Sequence, residues 1–135
     1  MDCLFCKIVN NEISYHKVYE DDKILGFLSI EPINKGHVLI IPKKHYVGIL
    51  DVDEEILKDI ISVVKKVALG VKNAVNADGI VITQNNGKYA GQAIMHLHFH
   101  VIPRFKEDGL GHWDHKKYEG DEMREYSSKI SSFLS

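Results

Sequence analysis

One long amphipathic helix constrains this chain more than any other feature. Ile56, Leu57, Ile60, Val63, Val64, Val67, Val71 and Val75 recur at the spacing that puts them on one helical face. Asp51-Val52-Asp53-Glu54 opens it: Asp51 is expected to cap the free N–H groups, with Glu54 returning the bond as in a capping box. Asn76-Ala77-Asp78-Gly79 supplies the stop. Gly70 interrupts the interior at a cost of up to ~1 kcal/mol against alanine, which close packing would justify. A stripe this long needs a broad apolar surface to cover it.

Strand patterns on both sides of the helix provide that surface. His16 to Glu20, Ile24 to Ser29 and His37 to Ile41 precede it, separated by turns at Asp21-Asp22 and Asn34-Lys35-Gly36. Ile80 to Gln84 and Ile94 to Ile102 follow it, with Asn85-Asn86-Gly87 as the turn and Pro103 as the expected end. The pattern predicts an α+β fold with a five-stranded antiparallel sheet packed on the helix. Beyond Arg104 the chain is polar, and Met123, Tyr126, Ile130, Phe133 and Leu134 outline a short terminal helix. A length of 135 residues fits one domain, with a core at about 1–105 and an extension over 106–135.

Composition narrows the function classes. A formal net charge of −2 argues against a general nucleic-acid binder but leaves room for a small phosphorylated ligand. The N-terminus lacks the pattern of a signal peptide, and no stretch approaches the roughly 20 apolar residues of a membrane helix. A cytoplasmic location is expected, where Cys3 and Cys6 would stay reduced.

The segment His96-Leu97-His98-Phe99-His100-Val101-Ile102 holds three of the eight histidines at every second position. On a strand, the three imidazoles share one face, and Leu97, Phe99 and Val101 face the helix. The outer pair would lie about 13 Å apart at Cα, from ~3.3 Å per residue, so a single ion can take two neighbours at most. Structural histidines and a catalytic row remain as alternatives. Imidazole is both nucleophile and proton donor near neutral pH, and adjacent rings can divide those roles in phosphoryl or nucleotidyl transfer.

The row resembles the signature of the histidine triad (HIT) superfamily, His-φ-His-φ-His-φ-φ. The resemblance extends to Cys3-Leu4-Phe5-Cys6-Lys7-Ile8, to Gly36-His37 through Lys44-His45, and to Gly91-Gln92-Ala93-Ile94-Met95-His96 through Pro103-Arg104. It is greatest to the Hint-like branch and its bacterial relatives. It implies a homodimer that joins two sheets into one of ten strands. It also implies hydrolysis of phosphoramidates, adenylates or dinucleoside polyphosphates of purine nucleosides through a nucleotidyl-histidine intermediate. His98 would attack phosphorus, His100 would hydrogen-bond the phosphate and help the leaving group, and Gln92 would sit beside that group. Having His100 rather than glutamine at the third position favours the hydrolase branch over hexose-phosphate uridylyl transfer.

For binding, the resemblance implies a base slot of Phe5, Ile8, Ile13, Phe27 and Ile30, although the pattern alone reads these as ordinary core. Asn85 would contact phosphate, and Gly91 would let the backbone approach it. Ser29 stands where relatives carry an acidic residue or asparagine on the ribose. Ala93 stands where some carry a serine or threonine facing the scissile oxygen. These two departures keep open a second reading, a non-catalytic nucleotide-binding or scaffold dimer. A zinc-dependent enzyme is a third.

Cys3-x-x-Cys6 has the spacing of half a zinc site, a weak signal on its own. A subset of the family completes it with the positions of His45 and His96. Four protein ligands would make such a zinc structural and not catalytic. His37 is expected beside the triad, and His16, His112 and His115 at the surface.

Overall fold

The computed structural model describes residues 3–110 and 115–134. A short helix α1 (Leu4–Val9) leads into β1 (Lys17–Glu20), β2 (Ile24–Leu28) and β3 (Val38–Pro42). The long helix α2 (Glu54–Val75) follows, then β4 (Gly79–Thr83), a 3-10 turn at Lys88–Ala90, β5 (Phe99–Arg104) and α3 (Glu122–Ser131). The strands form one antiparallel sheet in the order β1-β2-β3-β5-β4. This is the α+β architecture that the sequence predicts. Helix α2 carries the chain past the sheet to its far edge, and the β4–β5 pair then returns so that β5 lies against β3.

Each face of the sheet has its own apolar layer. Ile60, Val63, Val64, Val67 and Val71 of α2 pack on Ile24, Val38, Ile40, Leu97, Phe99 and Val101. Phe5 and Ile8 of α1, with Cys3, cover Leu25, Phe27, Leu39 and Ile41 on the opposite face. Strand β3 is therefore buried on both sides, which explains its unbroken apolar run. Six residues are too few to show helical periodicity, so α1 carries no clear signal in the sequence.

Several local expectations are corrected. Asp51 does not cap α2. Its carboxylate instead accepts the N–H groups of Gly48 at 2.8 Å and Val47 at 3.1 Å, closing the turn ahead of the helix. The N-cap is Asp53, with no side-chain bond, so no capping box with Glu54 forms. Gly70 is not a close-packing site, because a Cβ there would meet nothing within 4 Å.

The last strand is displaced from the expected Ile94–Ile102 to Phe99–Arg104. Its ladder with β3 spans only Val38↔Val101 to Ile40↔Phe99, so residues 94–98 lie outside it although β3 runs on to Pro42. Pro103 does not end the strand: it pairs with Ile80, and its carbonyl accepts Asn34 Nδ2 at 2.8 Å. Nitrogen and carbonyl of one strand residue point the same way, so the missing donor faces the side where β3 has not yet begun. The terminal helix exists, but its apolar side chains Met123, Tyr126 and Ile130 are exposed. His16 and His115 are exposed, whereas His112 lies outside the described residues.

Candidate active site and metal centre

Beside α1 the sheet face opens into a cavity of about 480 Å3. Phe5, Ile8, Ile13, Phe27, Ser29, Ile30 and Ala93 line it, as do His98 and His100. This apolar slot with polar groups at one end suits a small ligand. Tyr15, Glu31, Ile33 and Ile94 also line it. Nothing in the sequence pattern singles these out, although an isoleucine in the polar loop between β2 and β3 is itself a hint. The Ser29 hydroxyl accepts the N–H of Glu31 at 3.2 Å, which draws that loop against the rim.

Of the three histidines only His100 belongs to β5; His96 and His98 precede it in an irregular stretch. The alternation nevertheless survives, with Leu97 and Phe99 in the α2 layer and His98 and His100 at the cavity. The row then divides. His96 turns away to the cysteines, and His98 and His100 stay together with ring centroids 4.9 Å apart.

Hydrogen-bond partners assign a different tautomer role to each ring. His98 Nδ1 lies 2.7 Å from the carbonyl oxygen of His96, so Nδ1–H donates and the Nε2 lone pair is left free. His37 Nδ1 accepts the Ile33 N–H at 3.1 Å, so His37 Nε2–H donates to His100 Nδ1 at 3.0 Å. That leaves His100 with Nε2–H as a donor. Burial lowers the His98 pKa against the opposing effect of its bond to His96. Burial, then His98 and His37, push His100 down to about 4. Two neutral imidazoles, one offering a lone pair and one a proton donor, therefore adjoin the same cavity.

Asn85, Gly91 and Gln92 are not among the residues lining the cavity. Gln92 is 3% exposed, and its amide is fully used. Oε1 accepts Gly87 N–H at 2.8 Å, and Nε2 donates to Val47 O at 2.6 Å and Ile94 O at 3.0 Å. It ties the 85–92 loop to the segment after β3. Gly91 has φ +93°, and a Cβ there would come within 2.9 Å of Asn85 Nδ2. Asn86 Oδ1 reaches across to Ile49 N at 2.7 Å.

Cys3, Cys6, His45 and His96 bring their donor atoms within 4.8 Å of one another. Zinc bonds of about 2.05 Å to nitrogen and 2.3 Å to sulfur would put tetrahedral nitrogens about 3.3 Å apart and nitrogen about 3.6 Å from sulfur. The Nδ1 atoms of His45 and His96 are 3.2 Å apart, and the sulfur–nitrogen distances are 3.4, 3.4 and 3.6 Å. The four residues therefore fit a tetrahedral metal ion. His96 Nε2 donates to Pro42 O at 2.8 Å, which fixes its tautomer and aims the Nδ1 lone pair at the cysteines. Burial and Cys3 push the Cys6 thiol up to about 11. A divalent cation is what would favour two thiolates side by side here.

The HIT domain family model matches residues 10–107. The chain belongs to the HIT family. This HIT protein is similar over 100% of its length to a HIT family protein from Bacillus subtilis, covering 99% of that chain at TM-score 0.93 and 35% identity. An adenosine 5'-monophosphoramidase of Candida albicans is 38% identical over 138 residues, 98% of this chain and 91% of its own. A zinc-bound histidine triad family protein from Mycobacterium smegmatis matches at TM-score 0.78 and 34% identity, over 98% of this chain and 97% of that one. Among the described residues of this HIT protein, no helix is long and apolar enough to cross a membrane.

Proposed function

We propose that the chain is a nucleotidyl hydrolase that cleaves purine nucleoside phosphoramidates or related adenylates and dinucleoside polyphosphates. The observation carrying this reading is the opposed pair of tautomers: a free lone pair on His98 Nε2 beside a donor on His100 Nε2. In the first step His98 Nε2 bonds to the α-phosphorus as the bond from phosphorus to the leaving amine breaks, and the amine takes a proton from water. His100 Nε2–H holds a phosphoryl oxygen as charge builds there. Water then attacks phosphorus, the His98 N–P bond breaks, and the nucleoside monophosphate leaves. The likeness to a named phosphoramidase supports the substrate class.

The base would enter the slot of Phe5, Ile8, Ile13, Phe27 and Ile30, with the ribose toward Ser29. Asn85 and Gly91 would act from the adjoining loop, which Gln92 would hold in place through its bonds to Gly87, Val47 and Ile94. Cys3, Cys6, His45 and His96 would hold one zinc, for which the zinc-bound mycobacterial relative is support. Four protein ligands leave that ion no open position, and it would supply cross-linking, not Lewis-acid chemistry. A thiol-reducing cytoplasm suits this ligand set.

The partner would be a second copy, joined through β4. That edge strand exposes Ile82 (47%), whereas the other edge, β1, is bulged and carries Lys17 and Glu20. Light scattering in solution reads the dimer directly.

Incubation with adenosine 5'-monophosphoramidate tests the activity. AMP release is expected from the native chain and is expected to vanish in folded His98→Ala. A covalent adenylyl-protein should be trapped by an alkaline denaturing quench, because a phosphorus–nitrogen bond to imidazole is lost in acid and survives in base. A pure binder would form none, and turnover surviving in His98→Ala would sink the mechanism.

A further inference from the structure

The metal centre and the nucleophile meet in one residue. His96 gives its ring to the Cys3–Cys6–His45 cluster, and its backbone carbonyl to His98 Nδ1 at 2.7 Å. We propose that the metal centre is the positioning device for the nucleophile, with His96 as the positioning residue. This rests on reading His98 as the nucleophile.

The reason lies in the missing ladder. Pairing of β5 with β3 stops at Ile40↔Phe99, so the stretch carrying His96 and His98 has none of the cross-strand bonds that hold His100. What fixes it instead is the Leu97 N–H donating to Tyr46 O at 2.7 Å, His96 Nε2–H donating to Pro42 O, and the ring of His96 among the metal donors. His45 comes from the same 42–46 segment, so a bound ion clamps the two backbones together beside the Leu97–Tyr46 bond. The cysteine end completes the brace. Cys3 is the N-cap of α1, which places the Phe5 ring edge-on against His96 at 5.9 Å and His98 at 5.1 Å. The ion thus fixes His96 from one side and, through α1, packs the His98 ring from the other.

The carbonyl has work in the chemistry as well as in geometry. When His98 Nε2 bonds to phosphorus with Nδ1–H retained, the ring gains positive charge. An acceptor held 2.7 Å from that N–H strengthens its bond as the charge develops. Loosening His96 is therefore expected to lower kcat by about 10–100-fold, the usual effect of losing an orienting partner, with KM little changed.

Nitrogen-15 spectra of histidine-labelled protein read the ring without turnover. In the zinc-loaded chain His98 should be a single Nδ1–H tautomer with a slowly exchanging proton. After chelation, and in Cys6→Ser, that proton should exchange fast and the two tautomers mix. The zinc and cadmium forms of the wild type give a comparison that does not depend on the metal-free protein staying folded. Cadmium's longer bonds should displace the His98 Nδ1 proton resonance while leaving α2 resonances in place. Identical His98 signals in the zinc and cadmium forms, or an unchanged Nδ1–H tautomer and kcat after metal loss in folded protein, would overturn the proposal. If the loaded protein releases no AMP yet its His98 signals follow the metal, the positioning stands and the hydrolase reading fails.

Discussion

His37 sets the role of His100. Nε2 of His37 lies 3.0 Å from Nδ1 of His100, while the other nitrogen of His37 is held by the backbone N–H of Ile33. A backbone N–H can only donate, so its direction passes through both rings and leaves His100 a donor toward the cavity. His37→Leu removes one orienting hydrogen bond, worth roughly 1–1.5 kcal/mol. A fall in kcat of about tenfold is expected in phosphoramidate turnover, with adenylyl-His98 still trapped. Unchanged kcat would show that His100 needs no such partner.

The same pair should make the fold acid-sensitive. Burial lowers His37, and burial followed by His98 and His37 takes His100 to about 4. Below pH 6.5 the unfolded chain binds protons that the folded chain resists, so stability should fall as pH drops, levelling for His100 near pH 4. Urea midpoints at pH 7.5, 6 and 5 measure this. His100→Gln should show a shallower decline across that window, and parallel curves would count against the linkage.

Gln92→Ala would leave Gly87 N, Val47 O and Ile94 O without their buried partner. A loss of about 2–3 kcal/mol is expected in equilibrium unfolding. Gln92→Glu should be no better, because its carboxylate would face two carbonyl oxygens. A residue acting only on a leaving group would lower turnover and leave unfolding untouched.

One zinc per chain is expected by elemental analysis. Its chelation should lower the Tm, and restoring zinc should raise it again, since the ion binds a site that the unfolded chain does not preform. A Tm indifferent to chelation would remove the metal from the account of stability.

Gly70→Ala should stabilise the chain by about 0.5–1 kcal/mol, because α2 gains helix propensity and the new Cβ meets nothing. A destabilised variant would mean that this face of α2 is covered in the native assembly.

Much of the architecture was legible because burial imposes a period. The valine and isoleucine stripe of α2 and the apolar runs of β2 and β3 are each wider than the local accidents around them. The Asn76 stop and the turns at Asp21 and Gly36 were legible too, since Asn76 has φ 52° and Gly36 φ 101°. Local competition was not legible. Asp51 met two nearer N–H groups in its own turn, and Pro103 stayed in β5 because its nitrogen faces no partner.

By itself the sequence determined which residues could do chemistry: three imidazoles on alternate positions, a Cys-x-x-Cys, and enough periodic apolar surface to place one face toward α2. Only the tertiary structure decided how the imidazoles differ. His96 turns its Nδ1 lone pair toward the cysteines and His45 because Pro42 O takes its Nε2–H. His98 offers the cavity an Nε2 lone pair because the His96 carbonyl takes its Nδ1–H, and His100 offers it a donor because Ile33 N–H acts on it through His37. Each role depends on a backbone group brought from another part of the chain, or turned by a stretch that lacks a ladder. A tautomer is set by what the ring faces, and a one-dimensional pattern does not contain that.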